Sequence, residues 1–195
     1  MPKQTPSQTV GPYFAYGLTP VQYGYDFPSI ATPVLAGDDV EGERIRIVGR
    51  VLDGNGASIS DAMIEIWQAD ARGRYAHLAD QRQGNASFLG FGRCGTGTDP
   101  QHRFVFETIK PGAPVSGQAP HINIIVFMRG LLSHAYTRMY FSDEIASNST
   151  DPVLTTVPED RRGTLIGHRQ EDTTGIVYRF DIRMQGEQET VFFDV

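Results

Sequence analysis

The sequence predicts an all-β protein: a single β-sandwich domain with an extended N-terminal arm and irregular loops. Three observations carry that expectation. Glycine and proline, 21 and 12 of 195 residues, interrupt the chain too often for long helices. Between the interruptions lie short runs rich in Val, Ile, Phe and Tyr, several alternating with the period of two that marks a half-buried strand. Clusters such as Asp53-Gly54-Asn55-Gly56 and Lys110-Pro111-Gly112 close the runs with residues that suit tight turns. Repeated short strands with such turns favour a sandwich over a parallel α/β sheet.

Taken in order, residues 1–43 form the arm. Gly, Pro and Tyr recur there without periodicity. The aromatics from Tyr13 to Phe27 predict an ordered segment, packed on its own domain and on a partner chain, because disordered segments are aromatic-poor. The sandwich occupies 44–195. Arg44–Leu52 sets Arg44, Arg46, Val48 and Arg50 against Ile45, Ile47, Gly49 and Val51, and Met63–Gln68 alternates likewise, with Trp67 read as core. Further strands are expected at Arg103–Ile109, Ile122–Met128, Ala135–Phe141, Val177–Met184 and Thr190–Asp194. Only Asp143–Asn148 and Pro158–Leu165 suit a helical turn or two.

Composition excludes several classes. A net charge of −6 and a pI near 5.3 argue against nucleic acid as a partner, since phosphate binding needs concentrated Lys and Arg. Lys3 and Lys110 are the only lysines among 17 basic residues. Arginine's rigid donor fork suits interfacial carboxylates, although drift in genome composition explains the bias equally well. The single cysteine, Cys94, excludes a disulfide framework and thiolate zinc clusters. No apolar run approaches the roughly 18 residues that span a bilayer, and Met1–Tyr13 has no apolar signal core. No membrane association and a cytoplasmic location are therefore expected.

Metal chemistry is the first reactive possibility. His77, His102, His121, His134 and His168 form no His-x-His, His-x-x-His or His-Glu-x-x-His pattern. Two ligands on one face of a strand must be separated by one residue. His121-Ile122-Asn123 has that spacing, but an amide oxygen is a poor ligand where imidazole or phenolate is preferred. Nucleophilic chemistry has less support, since Gly-x-Ser-x-Gly is missing and Cys94 has no neighbouring His. No phosphate-binding loop is present.

A series of motifs in order then resembles the intradiol ring-cleavage dioxygenases. They are Gly49-x-Val51, Gly56-x-x-Ile59, Ile64-Glu65-Ile66-Trp67-Gln68-Ala69-Asp70 and Gly73-Arg74-Tyr75. Gly90-Phe91-Gly92-Arg93, Thr108-Ile109-Lys110-Pro111-Gly112, Ala119-Pro120-His121-Ile122 and Tyr178-Arg179-Phe180-Asp181-Ile182 continue the series. The resemblance implies a fold built to hold Fe(III) between two Tyr and two His. Tyr75 takes the first Tyr position and His121 the first His, while Asn123 stands at the second His. The loop Ala113–Ala119 looks shortened and holds no Tyr, and Gln118 stands near where the family places an arginine.

With two ligands of four lost, the resemblance implies a chain that binds no metal. Thr5–Tyr13 and Glu189–Asp194 are similar to the ends of the non-catalytic α chain of the family's two-chain members. The implied function is the α subunit of an Fe(III)-dependent enzyme that cleaves protocatechuate with O2 to 3-carboxy-cis,cis-muconate. The iron would lie on a β subunit, with α/β protomers joined in larger symmetric oligomers. Thr9, Val10, Gly11, Pro12, Tyr13 and Arg129 would wall the substrate pocket where the two chains meet. Two alternatives stay open: a self-sufficient dioxygenase using Tyr75, His121 and ligands such as His77 or His102, and a non-enzymatic assembly module.

Overall fold

A computed structural model describes residues 8–11, 13–82, 84, 87–115 and 117–194. Half of its sheet is registered on β1, Arg44–Leu52, whose Ile45, Ile47 and Val51 point into the core as the alternation predicts. β1 pairs antiparallel with β4, Arg103–Ile109, placing Arg44 opposite Ile109 and Arg50 opposite Arg103. On its other edge it pairs parallel with β8, Gly175–Arg179, and β9, Ile182–Arg183. The run expected as one strand from Val177 to Met184 is thus split at Phe180-Asp181. The register is nevertheless continuous, with Val48 opposite Arg179 and Val51 opposite Ile182. At the break the Asp181 carboxylate accepts the Arg50 N–H at 2.9 Å, where a strand carbonyl would otherwise serve.

Gly49 makes that break possible. A Cβ there would lie 1.8 Å from the Phe180 carbonyl oxygen and 2.6 Å from the Phe104 ring. Only glycine lets the two backbones meet this closely.

The remaining strands are β2, Met63–Gln68; β3, Phe91–Gly95; β5, His121–Phe127; β6, Ala135–Phe141; and β7, Ile166–Asp172. All are joined in one path, β3-β2-β5-β6-β7-β8-β1-β4, with β9 beside β1. The all-β class therefore holds, with few and short helices. β7 joins the two halves, pairing parallel with β6 and antiparallel with β8. Its residues Ile-Gly-His-Arg-Gln-Glu-Asp are mostly exposed, so no alternation betrays it in the sequence. β3 is hidden similarly, by two glycines in five residues.

Both halves face one core. Ile64, Ile66, Ile122, Ile124 and Val126 pack in the same cluster as Ile47, Val51, Phe104 and Phe106. The buried Gln68 of β2 links the halves by polar contact, donating to the Ile109 carbonyl at 2.9 Å and accepting from the Thr108 hydroxyl at 2.9 Å. Buried amides need such partners.

The path ends at β3 and β4, and residues 32–35 lie against both. The Arg93 N–H donates to Thr32, the Glu107 N–H donates to Pro33, and the Leu35 N–H donates back to Glu107. Two sheet edges that would otherwise expose free peptide groups are covered by one stretch of chain.

The helices are α1, Phe14–Leu18; α2, Ile145–Thr150; and α3, Glu159–Arg162, which runs into a 3-10 turn at Gly163–Leu165. α2 begins two residues later than expected because the Asp143 carboxylate is already engaged, accepting from the Tyr178 hydroxyl and Lys110 Nζ. Thr190–Asp194 is not a strand. Its groups bond to separate places: Thr190 to Arg183, Val191 to Thr164 and Thr137, and Phe193 to Tyr136. Among the described residues no helix is long and apolar enough to cross a membrane.

A fully buried carboxylate, Asp151, anchors the smaller core cluster of Ala119, Tyr140, Leu154, Val157 and Leu165. It accepts from the N–H groups of Ala119, Val153 and Leu154 at 2.8–2.9 Å and from the Tyr140 hydroxyl at 3.0 Å. Burial alone would push its pKa up, but those donors prevail and hold it below the usual carboxylate value.

Two outcomes are expected. Gly49→Ala should cost about 1–3 kcal/mol in urea unfolding, whereas Gly163→Ala, where an added Cβ meets nothing within 4 Å, should be neutral or slightly stabilising. Asp70, Asp143 and Asp151 all have lowered pKa values, so the unfolded chain takes up protons before the folded one does. Their contribution is complete above about pH 4 and is lost as pH falls towards the folded values. The urea midpoint should therefore drop as the pH falls below about 4, and Asp151→Asn should flatten that drop.

Candidate functional site

β5 carries His121 and Asn123 at its first end, and the turn beyond its other end carries Arg129. His121, Asn123, Ile125 and Phe127 alternate with core-facing Ile122, Ile124 and Val126. At about 3.3 Å per residue the ends lie roughly 20 Å apart.

At the first end, strand register builds the site. Asn123 lies opposite Trp67 of β2 on one side and Arg138 of β6 on the other, while His121 lies opposite Tyr140. Tyr75 reaches this row from the loop after β2. A close approach holds that loop, since Gly73 has φ +75° and a Cβ there would sit 1.9 Å from the Ala113 carbonyl. Asn123 Nδ2 donates to the Tyr75 hydroxyl at 3.2 Å and to the Trp67 carbonyl at 3.3 Å. Arg138 Nε donates to Asn123 Oδ1 at 3.1 Å. The Trp67 and Tyr75 rings stand 4.8 Å apart.

Trp67 is not core. It is 38% exposed and, with Tyr75, His77, Arg82, Val115 and Gln118, lines a cleft of about 550 Å³. It belongs to the outward face of β2 with Met63 and Glu65, opposite the face of Ile64 and Ile66.

Protonation follows from these surroundings. Burial pushes the Tyr75 pKa up, only partly offset by the Asn123 hydrogen bond and the Arg138 charge, so the phenol is neutral at pH 7. His121 is buried and lowered in pKa for the same first reason. Its Nδ1 lies 2.9 Å from the Ala119 carbonyl, which only accepts, so Nδ1 carries the proton and Nε2 is the basic nitrogen.

These donors do not fit Fe(III). A ferric ion seeks anionic phenolates and imidazoles. Here one imidazole position is a carboxamide, whose oxygen accepts from Arg138 and whose nitrogen donates to Tyr75. Arg138 Nη1 is also buried nearby with no hydrogen-bond partner among the described residues. No group of three His, Cys, Asp or Glu able to hold a metal occurs among the described residues either. His77 accepts from the Ala79 N–H and packs its ring on Trp67, while His102 sits at φ 55° in the turn into β4. Cys94 is buried, and burial pushes its thiol up to about 11.

At the second end, the arm meets the loop after β5. The Gly130 N–H donates to the Thr9 hydroxyl at 3.0 Å, bringing Thr9 beside Arg129. Val10 lines a cleft of about 320 Å³ with Phe127, Met128, Leu131 and His134. Gly11 meets nothing within 4 Å of its would-be Cβ, and Tyr13 is 78% exposed. Pro12 lies outside the described residues. Arg129, itself exposed, pairs through Nε with the Asp61 carboxylate. Sequence reasoning missed Arg138 and Asp61, because both matter through cross-strand or loop contacts that no local spacing announces.

Comparisons with known proteins identify the family. The family described as Dioxygenase matches residues 11–186. A curated relative from Burkholderia cepacia, protocatechuate 3,4-dioxygenase alpha chain, is 57% identical over 194 residues, spanning 99% of this chain and 98% of its own. The protocatechuate 3,4-dioxygenase beta chain of the same organism is 39% identical over 161 residues, 76% of this chain and 67% of its own. Among solved structures, an intradiol ring-cleavage dioxygenase from Tetranychus urticae aligns with a TM-score of 0.62 at 18% identity, covering 93% of this chain and 94% of that one, a likeness of fold. The chain belongs to the intradiol dioxygenase family, in which its close relatives are alpha chains.

Proposed function

We propose that this chain is the non-metal-binding α subunit of a protocatechuate 3,4-dioxygenase. It works beside a β subunit that holds the Fe(III), in larger symmetric α/β oligomers of the cytoplasm. Its greater likeness to the alpha than to the beta chain of one organism carries the reading. The unsuitable donors around Tyr75, His121 and Asn123 support it. In this reading the partner's iron supplies the ring-cleavage chemistry that turns protocatechuate and O2 into 3-carboxy-cis,cis-muconate.

The chain's own contribution is enclosure and positioning. Thr9, Val10, Gly11, Pro12 and Tyr13 wall the substrate pocket, with Gly11 leaving room for a flat ring against the backbone. Arg129 attracts the ring carboxylate through charge-assisted hydrogen bonds, and Asp61 holds it ready. The described part of the arm, residues 8–11 and 13–43, packs partly on its own domain and partly on the partner, while 1–7 and 12 lie outside the described residues. Half-exposed Tyr25 and Phe27 and almost fully exposed Ile30 support that assignment, since interface cores favour such side chains. We read residues 44–195 as one two-layered sandwich, supported by the core cluster shared between both halves of the strand path.

The test is co-expression with the β chain, followed by metal and oxygen-uptake assays. The complex should hold iron and turn over protocatechuate, and the isolated chain should do neither. Iron at one per chain with activity in the isolated chain would overturn the reading. Within the complex, Arg129→Ala should raise KM for protocatechuate roughly tenfold or more, with kcat changed far less. An unchanged KM would point instead to a purely structural module.

A further inference from the structure

The Tyr75–His121–Asn123 row lacks the donors for a ferric ion, yet it is not an empty relic. We propose that the Arg138 guanidinium is the resident cation of this site, standing in for a metal and keeping metal ions out.

Position comes first. Arg138 is the cross-strand neighbour of Asn123 and lies two residues from Tyr140, which faces His121. These side chains share one face of β5 and β6, so the guanidinium belongs to the site by strand register rather than by a chance rotamer. Its long stem would allow the charge to reach solvent, as exposed arginines do. Instead Nη1 is buried without a partner among the described residues, and Nε is spent on Asn123 Oδ1 at 3.1 Å.

The polarity of the row follows from that cation. Drawing Oδ1 towards the guanidinium fixes the carboxamide so that Nδ2 turns to the Tyr75 oxygen, at 3.2 Å, and to the Trp67 carbonyl, at 3.3 Å. The Tyr75 oxygen therefore receives positive character through the amide. Tyr140, two residues along β6 from Arg138, packs its ring on His121 at 5.8 Å. His121 also keeps the arrangement of a ligand, with Nδ1–H donated to the Ala119 carbonyl and Nε2 basic. A metal approaching Nε2 and the Tyr75 oxygen meets a fixed like charge among the same groups.

The inference does not rest on the subunit reading, because the test involves no partner chain. Asn123→His supplies a second imidazole on the face that already carries Tyr75 and His121, a donor set sufficient for zinc. The full-length chain is prepared as Asn123→His, Asn123→His/Arg138→Lys and Asn123→His/Arg138→Gln. Each is loaded with Zn(II), gel-filtered and measured for metal, with near-UV circular dichroism reporting the fold. The Gln double variant should retain about one Zn(II) per chain. The single variant and the Lys double variant, both keeping the cation, should retain less than roughly a tenth of that. If Arg138→Gln fails to fold, Arg138→Met in the same background should give the same result. Equal zinc in the single and double variants would overturn the proposal. So would the lack of zinc in a folded double variant, since something other than Arg138 would then exclude the metal.

Discussion

The buried carboxylate of Asp151 is the constraint on which the rest of the site depends. A charge taken out of water is tolerable only if hydrogen bonds replace the lost hydration. Asp151 meets that demand with three backbone N–H groups and one phenol. In doing so it ties the entry to β5, the end of β6 and the turn at 151–154 to one point. Ala119, held through its N–H, offers its carbonyl to His121. Strand register then sets the cross-strand row through Asn123. The strand-borne members are placed by backbone pairing already anchored at Asp151, and Tyr75 joins them from the loop after β2.

The two ends of β5 differ in how their polar groups are arranged. At one end, Tyr75, Asn123 and Arg138 are joined by hydrogen bonds. At the other, the groups stay open, with an exposed tyrosine, an uncrowded glycine and a surface arginine whose carboxylate partner is easily exchanged. Surface ion pairs of that kind contribute little stability.

Much of the scaffold was legible in the sequence, for identifiable reasons. β1 and β4 bury mainly one face, and burial on one face writes alternation into the residues. β7 is largely solvated and β3 is short and glycine-rich, so neither carries that pattern. The break at Phe180-Asp181 depends on Gly49, more than 130 positions earlier in the chain, a tertiary fact that local pattern does not encode. Tyr75, His121 and Asn123 were legible as a depleted ligand set because strand period and motif order locate them. Arg138 was not, since its meaning lies wholly in standing opposite Asn123. Trp67 misled for a related reason: large aromatic residues suit cores and cleft walls equally well.

The stretch at 32–35, which touches β3 and β4 together, has a consequence for how the chain reaches its fold. It precedes every strand in the sequence, yet the surface it occupies does not exist until the strands at both ends of the path are in place. On a ribosome this segment emerges before either of the strands it covers. Until it docks, those two sheet edges stand open, with the pairing hazards of unprotected strands. Covering both edges with one early stretch of chain removes that hazard at two places with a single docking event.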